Sequence, residues 1–283
     1  MGKMKTEAFG VVGRVGHSDV PDWSFLYRVS SVKDSRYNIG DRVVTGDGRT
    51  FRYAKANGTV NTEFGAYKTK KTNTNAVAPA QATAASLGAD KAAGAIGSRH
   101  VTVTIDTEIG VLTTGVLSKD ELVGGYIVIG NGTSQHPQMR VIVSHPALTT
   151  AGGALTLTLD GELTIAVVAT TTNIELMENP FYNLKADAAG GIGEYNTFLG
   201  IAAAQAVSGQ YFWLQTWGPC WITSDGNTCD SAADRTIVFG GDGAVKSSND
   251  VTMESGFQIA GVALDTSSVG ASNAPMVLLQ IWP

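Results

Sequence analysis

The residues able to do chemistry in this 283-residue chain are few and scattered. His17, His100, His136 and His145 belong to no His-Glu-x-x-His pair or other metal-ligand spacing. His136-Pro137 and His145-Pro146 flank a predicted strand and read as turn or surface residues rather than as a metal pair. Cys220 and Cys229 bracket Asp225-Gly226-Asn227 at a separation that a hairpin would bring within bonding range. A reducing cytosol favours two free thiols there, so neither is expected to hold the fold together. Asp225-Gly226-Asn227-Thr228-Cys229-Asp230 is rich in oxygen ligands but lacks the residue order and distal Glu of a calcium loop. Gly190-Gly191-Ile192-Gly193 lacks the strand-turn-helix setting of a dinucleotide fingerprint, and no Gly-x-Ser-x-Gly elbow or Walker loop occurs. Asp230 with Asp234, or Glu175 with Glu178, would suit glycoside hydrolysis if they faced one cleft, yet with 25 acidic residues chance pairs are expected. Asn57-Gly58-Thr59 and Asn131-Gly132-Thr133 match the N-glycosylation acceptor pattern and read as turns. The pattern predicts a structural protein with no catalytic residue, no metal and no cofactor.

Tyr211, Phe212, Trp213, Trp217 and Trp221 make the densest aromatic group in the chain. Flat rings at spaced positions suit stacking on sugars; the competing reading is a core or a subunit interface. Strand alternation over residues 211–217 puts Tyr211, Trp213 and Trp217 on one face and Phe212 and Leu214 on the other, so both faces are largely apolar. Such a strand belongs inside a sandwich or between subunits. Tyr211, Trp213, Trp217 and Trp221 are therefore the expected subunit interface, and a homotrimer the expected assembly.

The elements that would position these residues are strands. Charged residues make up 16% of the chain against a usual value of about a quarter, and Gly, Thr, Ala, Asn and Val fill the gap. Residues 101–105, 139–144 and 154–159 alternate, and 125–130 is a compact apolar run. Turns are expected at Gly130-Asn131-Gly132, Gly152-Gly153 and Asp160-Gly161. Ser118 followed by Glu121 fits a capping box and predicts one helical turn over 119–122. Further strands are predicted over 198–203, 210–216, 256–264 and 276–282. An Ala-rich helix over 85–96 is weakened by Gly88 and Gly94. The expected fold is all-β, with an extended N-terminal arm and a β-hairpin followed by one or two β-sandwich or barrel-like domains.

Residues 1–38 mix single aromatics with Gly, Ser and Asp and carry neither a period of 2 nor one of 3.6, which predicts an extended arm. Residues 40–45 and 49–54 flank Gly46-Asp47-Gly48 and predict a hairpin. Residues 72–87 are a low-complexity stretch of Thr, Asn, Ala and Gln, expected as a linker or surface strap. The expected division is 1–90 for arm, hairpin and linker, 91–180 for a first β domain and 181–283 for a second. A net charge of −5 gives no footprint for nucleic acid or an anionic membrane, and no run of 18 apolar residues occurs. The basic residues 1–5 are not followed by the apolar run of a signal peptide, so synthesis in the cytoplasm is expected.

Three stretches carry a resemblance. Gly40-Asp41-Arg42-Val43-Val44 with Asp47-Gly48-Arg49-Thr50-Phe51-Arg52-Tyr53 resembles the N-terminal hairpin of virion structural proteins of tailed bacteriophages. Gly209-Gln210-Tyr211-Phe212-Trp213-Leu214-Gln215-Thr216-Trp217-Gly218-Pro219 and Leu279-Gln280-Ile281-Trp282-Pro283 are similar to stretches of the same group, where they lie in a β-rich C-terminal domain. The resemblance implies a capsid decoration (cement) protein, usually trimeric, made in the host bacterial cytoplasm and seated on the major capsid protein at the virion surface. On that reading the N-terminal region binds the capsid, with Trp23, Arg42, Arg49, Phe51, Arg52 and Tyr53 as the expected contacts. A head-fibre or tail receptor-binding protein recognising host-surface glycans is the alternative, since composition alone does not choose among virion parts.

Overall fold

The computed structural model describes residues 23–69, 94–104, 116–131, 137–150, 153–167, 172–186, 196–224, 235–240, 242–248, 257–265 and 275–283. Residues 1–22 of the arm, the linker at 72–87, most of the Ala-rich segment, His17, His136, Cys229 and the carboxylates at 225–234 lie outside them. The chain divides into two compact units, one of residues 1–70 with 181–283 and one of residues 71–180.

The fold is all-β, with two antiparallel sheets and no closed barrel. The first unit begins with a 3-10 turn, Trp23–Tyr27, which drives Leu26 into the core. Strands β1 (Arg42–Val44) and β2 (Thr50–Lys55) form the expected hairpin. Its turn closes by Gly48 N–H to Thr45 O and Thr45 N–H to Arg49 O, each at 2.9 Å. Gly48 sits at φ 84°, where glycine alone carries no Cβ penalty. Strand β3 (Gly65–Thr69) follows.

The second unit is a five-stranded sheet of β4 (His100–Thr104), β5 (Tyr126–Asn131), β6 (Gln138–Ser144), β7 (Ala154–Leu159) and β8 (Thr172–Met177), in the order β4-β7-β6-β5-β8. Alternation sends Val101, Val103, Leu155, Leu157, Ile127, Ile129 and Ile174 to one face, where Leu117, Leu122, Leu148 and Leu163 cover them. Thr102 and Thr156 meet on the other face, hydroxyl to hydroxyl at 2.9 Å. His145 is buried beneath this core. Its Nε2 accepts the Leu122 N–H at 2.8 Å and its Nδ1 donates to Pro146 O at 2.7 Å, so both ring nitrogens are engaged by backbone groups. The segment expected as a helical turn at 119–122 is a plain turn, although the Glu121 carboxylate does accept the Ser118 N–H at 2.8 Å.

The chain returns to the first unit for β9 (Asn196–Ala202), β10 (Tyr211–Trp221), β11 (Thr236–Phe239), β12 (Val245–Ser247), β13 (Ile259–Ala263) and β14 (Met276–Gln280). These join the N-terminal strands in one sheet of order β1-β2-β10-β14-β13-β11-β12, with β9 also on β10 and β3 on β9. Eleven-residue β10 is its axis: residues 211–217 pair with β2, 214–215 with β9 and 217–221 with β14.

This pairing corrects the expected three-part division. β1, β2 and β3 are not an arm beside a C-terminal domain; they are strands of the same sheet. Their aromatics look coreless in sequence because the residues that bury them stand on β10, more than a hundred positions away.

Candidate interaction surface

Two of the six expected contact residues, Phe51 and Tyr53, prove to be interior. Phe51 and Tyr53 are buried with Val43, Leu26 and Trp213, so they have no face to offer a partner. Tyr53 Oη accepts the Asp34 N–H at 3.0 Å. Arg49 is bound to Asp47 at 2.8 Å and lies over the Phe51 ring at 5.5 Å. Arg52 donates to Gly40 O at 3.1 Å and to Pro283 O at 3.0 Å, and its guanidinium lies between the Phe181 and Trp282 rings at 5.6 Å from each. Trp23 is half-buried, 6.2 Å from Phe25. Arg42 alone of the arginines named is exposed, on β1 directly opposite Arg52.

The aromatic strand divides in the same way. Trp213 is a core residue, its ring 4.9 Å from Tyr37, 5.2 Å from Tyr53 and 5.6 Å from Phe25. Tyr211 stacks on Tyr53 at 5.9 Å. The expectation that Trp217 shares the face of Trp213 fails at a β-bulge: Gln215 pairs with Phe51, but Trp217 pairs with the adjacent Thr50. One extra residue turns Trp217 to the side of Phe212 and Leu214. The Gln215 side-chain amide holds the bulge by donating to the carbonyls of Trp217 and Pro219 at 3.2 and 2.8 Å. Both faces of β10 before the bulge are covered by this chain, so Tyr211 and Trp213 need no second subunit.

After the bulge the outward face is open. Trp221 pairs with Met276, and Leu264, whose N–H donates to Met276 O at 2.8 Å, lies opposite Met276. These three side chains form a row across β10, β14 and the end of β13, exposed by 50%, 43% and 54%. The next row is Pro219, Leu278 and Val262. With Trp217 and Gln280 beyond it, eight outward positions carry one polar residue and no charge. An open, uncharged, apolar sheet face is the feature most characteristic of a contact surface. Trp217 and Trp221, two of the residues expected at a subunit interface, stand on this face. Met276, Leu278, Val262 and Leu264 were not expected there, because period-2 patterning names two faces of a strand without saying which strand lies beside it.

Among the described residues no group of three or more His, Cys, Asp or Glu stands together as a metal site, and no helix is long and apolar enough to cross a membrane. The Arg36 guanidinium bound to Asp34 at 2.7 Å holds that carboxyl at about 2, a surface pair that contributes little to stability. Cys220 is a free thiol, pushed by burial from an ordinary 9.0 up to about 12, and burial also raises Tyr53 and Tyr211. All three belong to the first unit. Folding keeps their protons on, so their contribution is complete below pH about 9 and is lost as pH rises from there toward 12. The urea midpoint of the first unit is expected to fall over that range, and a thiol reagent at pH 8 to label Cys220 only when the protein unfolds.

The fold and this surface define an all-β protein with, among the described residues, an exposed apolar sheet face. No family model matches the chain, and comparison with curated proteins and with solved structures finds no match.

Proposed function

We propose that the chain is a structural protein of a tailed-phage virion, a decoration protein seated on the outside of the head, and that it attaches through the face centred on Trp221, Met276 and Leu264. One observation carries the reading. The three stretches that resemble virion proteins are far apart in sequence, yet they are hydrogen-bonded neighbours in β1, β2, β10 and β14, as parts of one functional body would be.

The partner proposed is the major capsid protein. The largest apolar patch on a typical monomer covers about 300–600 Å², less than the roughly 800 Å² per partner of a stable pairwise complex. A lattice that presents the same site hundreds of times, engaged by a homotrimer, makes such a weak contact sufficient through avidity. The half-buried rings Trp23, Phe25, Tyr37 and Tyr211 favour one second reading, a fibre or receptor-binding protein that stacks them on host glycans.

Mixing the protein with decoration-free heads and counting bound copies by cosedimentation tests the choice. Wild type is expected to saturate the heads, Trp221→Glu to lose at least tenfold in apparent affinity, and Tyr211→Ala to bind as wild type. Failure of the wild type to bind heads, with glycan binding that Tyr211→Ala abolishes, would replace this reading by the second.

A further inference from the structure

The second unit interrupts the first instead of following it. The chain leaves the first unit after β3 and returns at Phe181, and the strands at these two crossings are bonded to each other. Tyr67 N–H donates to Lys185 O at 2.8 Å and Lys185 N–H to Tyr67 O at 3.1 Å. Leu184 N–H reaches Lys55 O at 2.9 Å, and Asn57 N–H reaches Leu184 O at 2.7 Å. All four bonds lie within the first unit, so the gap is closed by residues that remain if the insert is gone. The entropic cost of closing the loop between these ends grows only slowly with its length, so a long insert is tolerated there.

Burial is partitioned along the same line. The core of the second unit runs from Val101 to Ile174 and contains no residue of the first. The three cores of the first unit draw on residues from Trp23 to Tyr67 and from Phe181 to Ile281. A domain is a body that buries its own apolar surface, and each unit does so.

We infer that residues 71–180 are an inserted module that folds independently, and that its loss leaves the first unit folded and competent. On the proposed function, on which this second clause rests, head attachment belongs to the first unit alone and the insert serves a separate role.

The full chain contains its own reporter. All five tryptophans, Trp23, Trp213, Trp217, Trp221 and Trp282, belong to the first unit, so tryptophan fluorescence follows that unit only. Ile127→Asp puts an unpaired charge into the core of the second unit. It is expected to abolish amide-exchange protection of β5 and β7 while leaving the urea midpoint by fluorescence within about 10–15% of wild type. His145→Leu, which strips the Leu122 N–H of its acceptor, is the milder companion should Ile127→Asp aggregate. Its exchange in the second unit should accelerate at least tenfold with the fluorescence midpoint unmoved. A fluorescence transition that moves together with either substitution overturns the independence of the module. The binding arm is separate: Ile127→Asp should decorate heads at wild-type occupancy, and lost binding with an intact fluorescence transition would place attachment in the insert. If wild type itself binds no heads, the proposed function falls, and the fluorescence result still decides the module.

Discussion

Trp213→Ala is expected to lower the stability of the first unit by about 3–5 kcal/mol, the range for removing a large buried aromatic. The ring is packed edge-on by Phe25 and Tyr37, at 79° and 81°, and tilted against Tyr53. No neighbour can collapse into the space without moving the 3-10 turn or the loop that carries Tyr37. With a urea slope of about 1–3 kcal/mol/M the midpoint should drop by a molar unit or more, an effect visible by circular dichroism. Its concentration dependence separates two explanations. A core residue gives the same shift at one and at one hundred micromolar protein; a loss that disappears at the higher concentration would return Trp213 to a subunit interface.

Gly200→Val is expected to be at least as damaging. A Cβ at this position would stand 2.3 Å from Gln215 O and 2.8 Å from Leu214 Cγ, where β9 lies against β10. Overpacking usually costs about 1–3 kcal/mol because side chains can turn aside. Here the obstacle is the backbone carbonyl of the central strand, which has no rotamer to change, so the expected cost lies at or above the top of that range. β9 would be forced off β10, and β3, which pairs with β9, would go with it. Gly46→Ala is the matched control: nothing lies within 4 Å of its Cβ, and the change should stay within about 0.5 kcal/mol. Equal midpoints for Gly200→Val and Gly46→Ala would mean that β9 does not lie where the sheet requires it.

Local patterns in the sequence determined a good deal of this protein. Alternation over 101–103 and 154–159 marked the buried face of the second unit, because that sheet covers one side and a period of 2 reads directly onto inside and outside. Asp47-Gly48 marked the hairpin, since the turn demands a positive φ and glycine supplies it. The doubly apolar run at 211–217 marked a strand inside a sandwich or between subunits; Phe212 and Leu214 do enter one core and Trp213 another, while Trp217 leaves the face expected for it.

Tertiary structure alone decided what those strands meet. That β2 pairs with β10 rather than closing a separate arm turned Phe51 and Tyr53 from expected contacts into core, and set Arg49 and Arg52 to work inside their own chain. The bulge at residues 215–217 reversed the side of Trp217, a change that no alternation rule registers because the extra residue is detectable only against a partner strand. The open face was assembled from β10, β13 and β14, whose outward side chains are ordinary in each strand and form an apolar surface only in register. Sequence patterns state which side of a strand avoids water. Long-range pairing, a matter of which strands can satisfy one another's backbone hydrogen bonds across the whole chain, chooses what covers that side and where the cover stops.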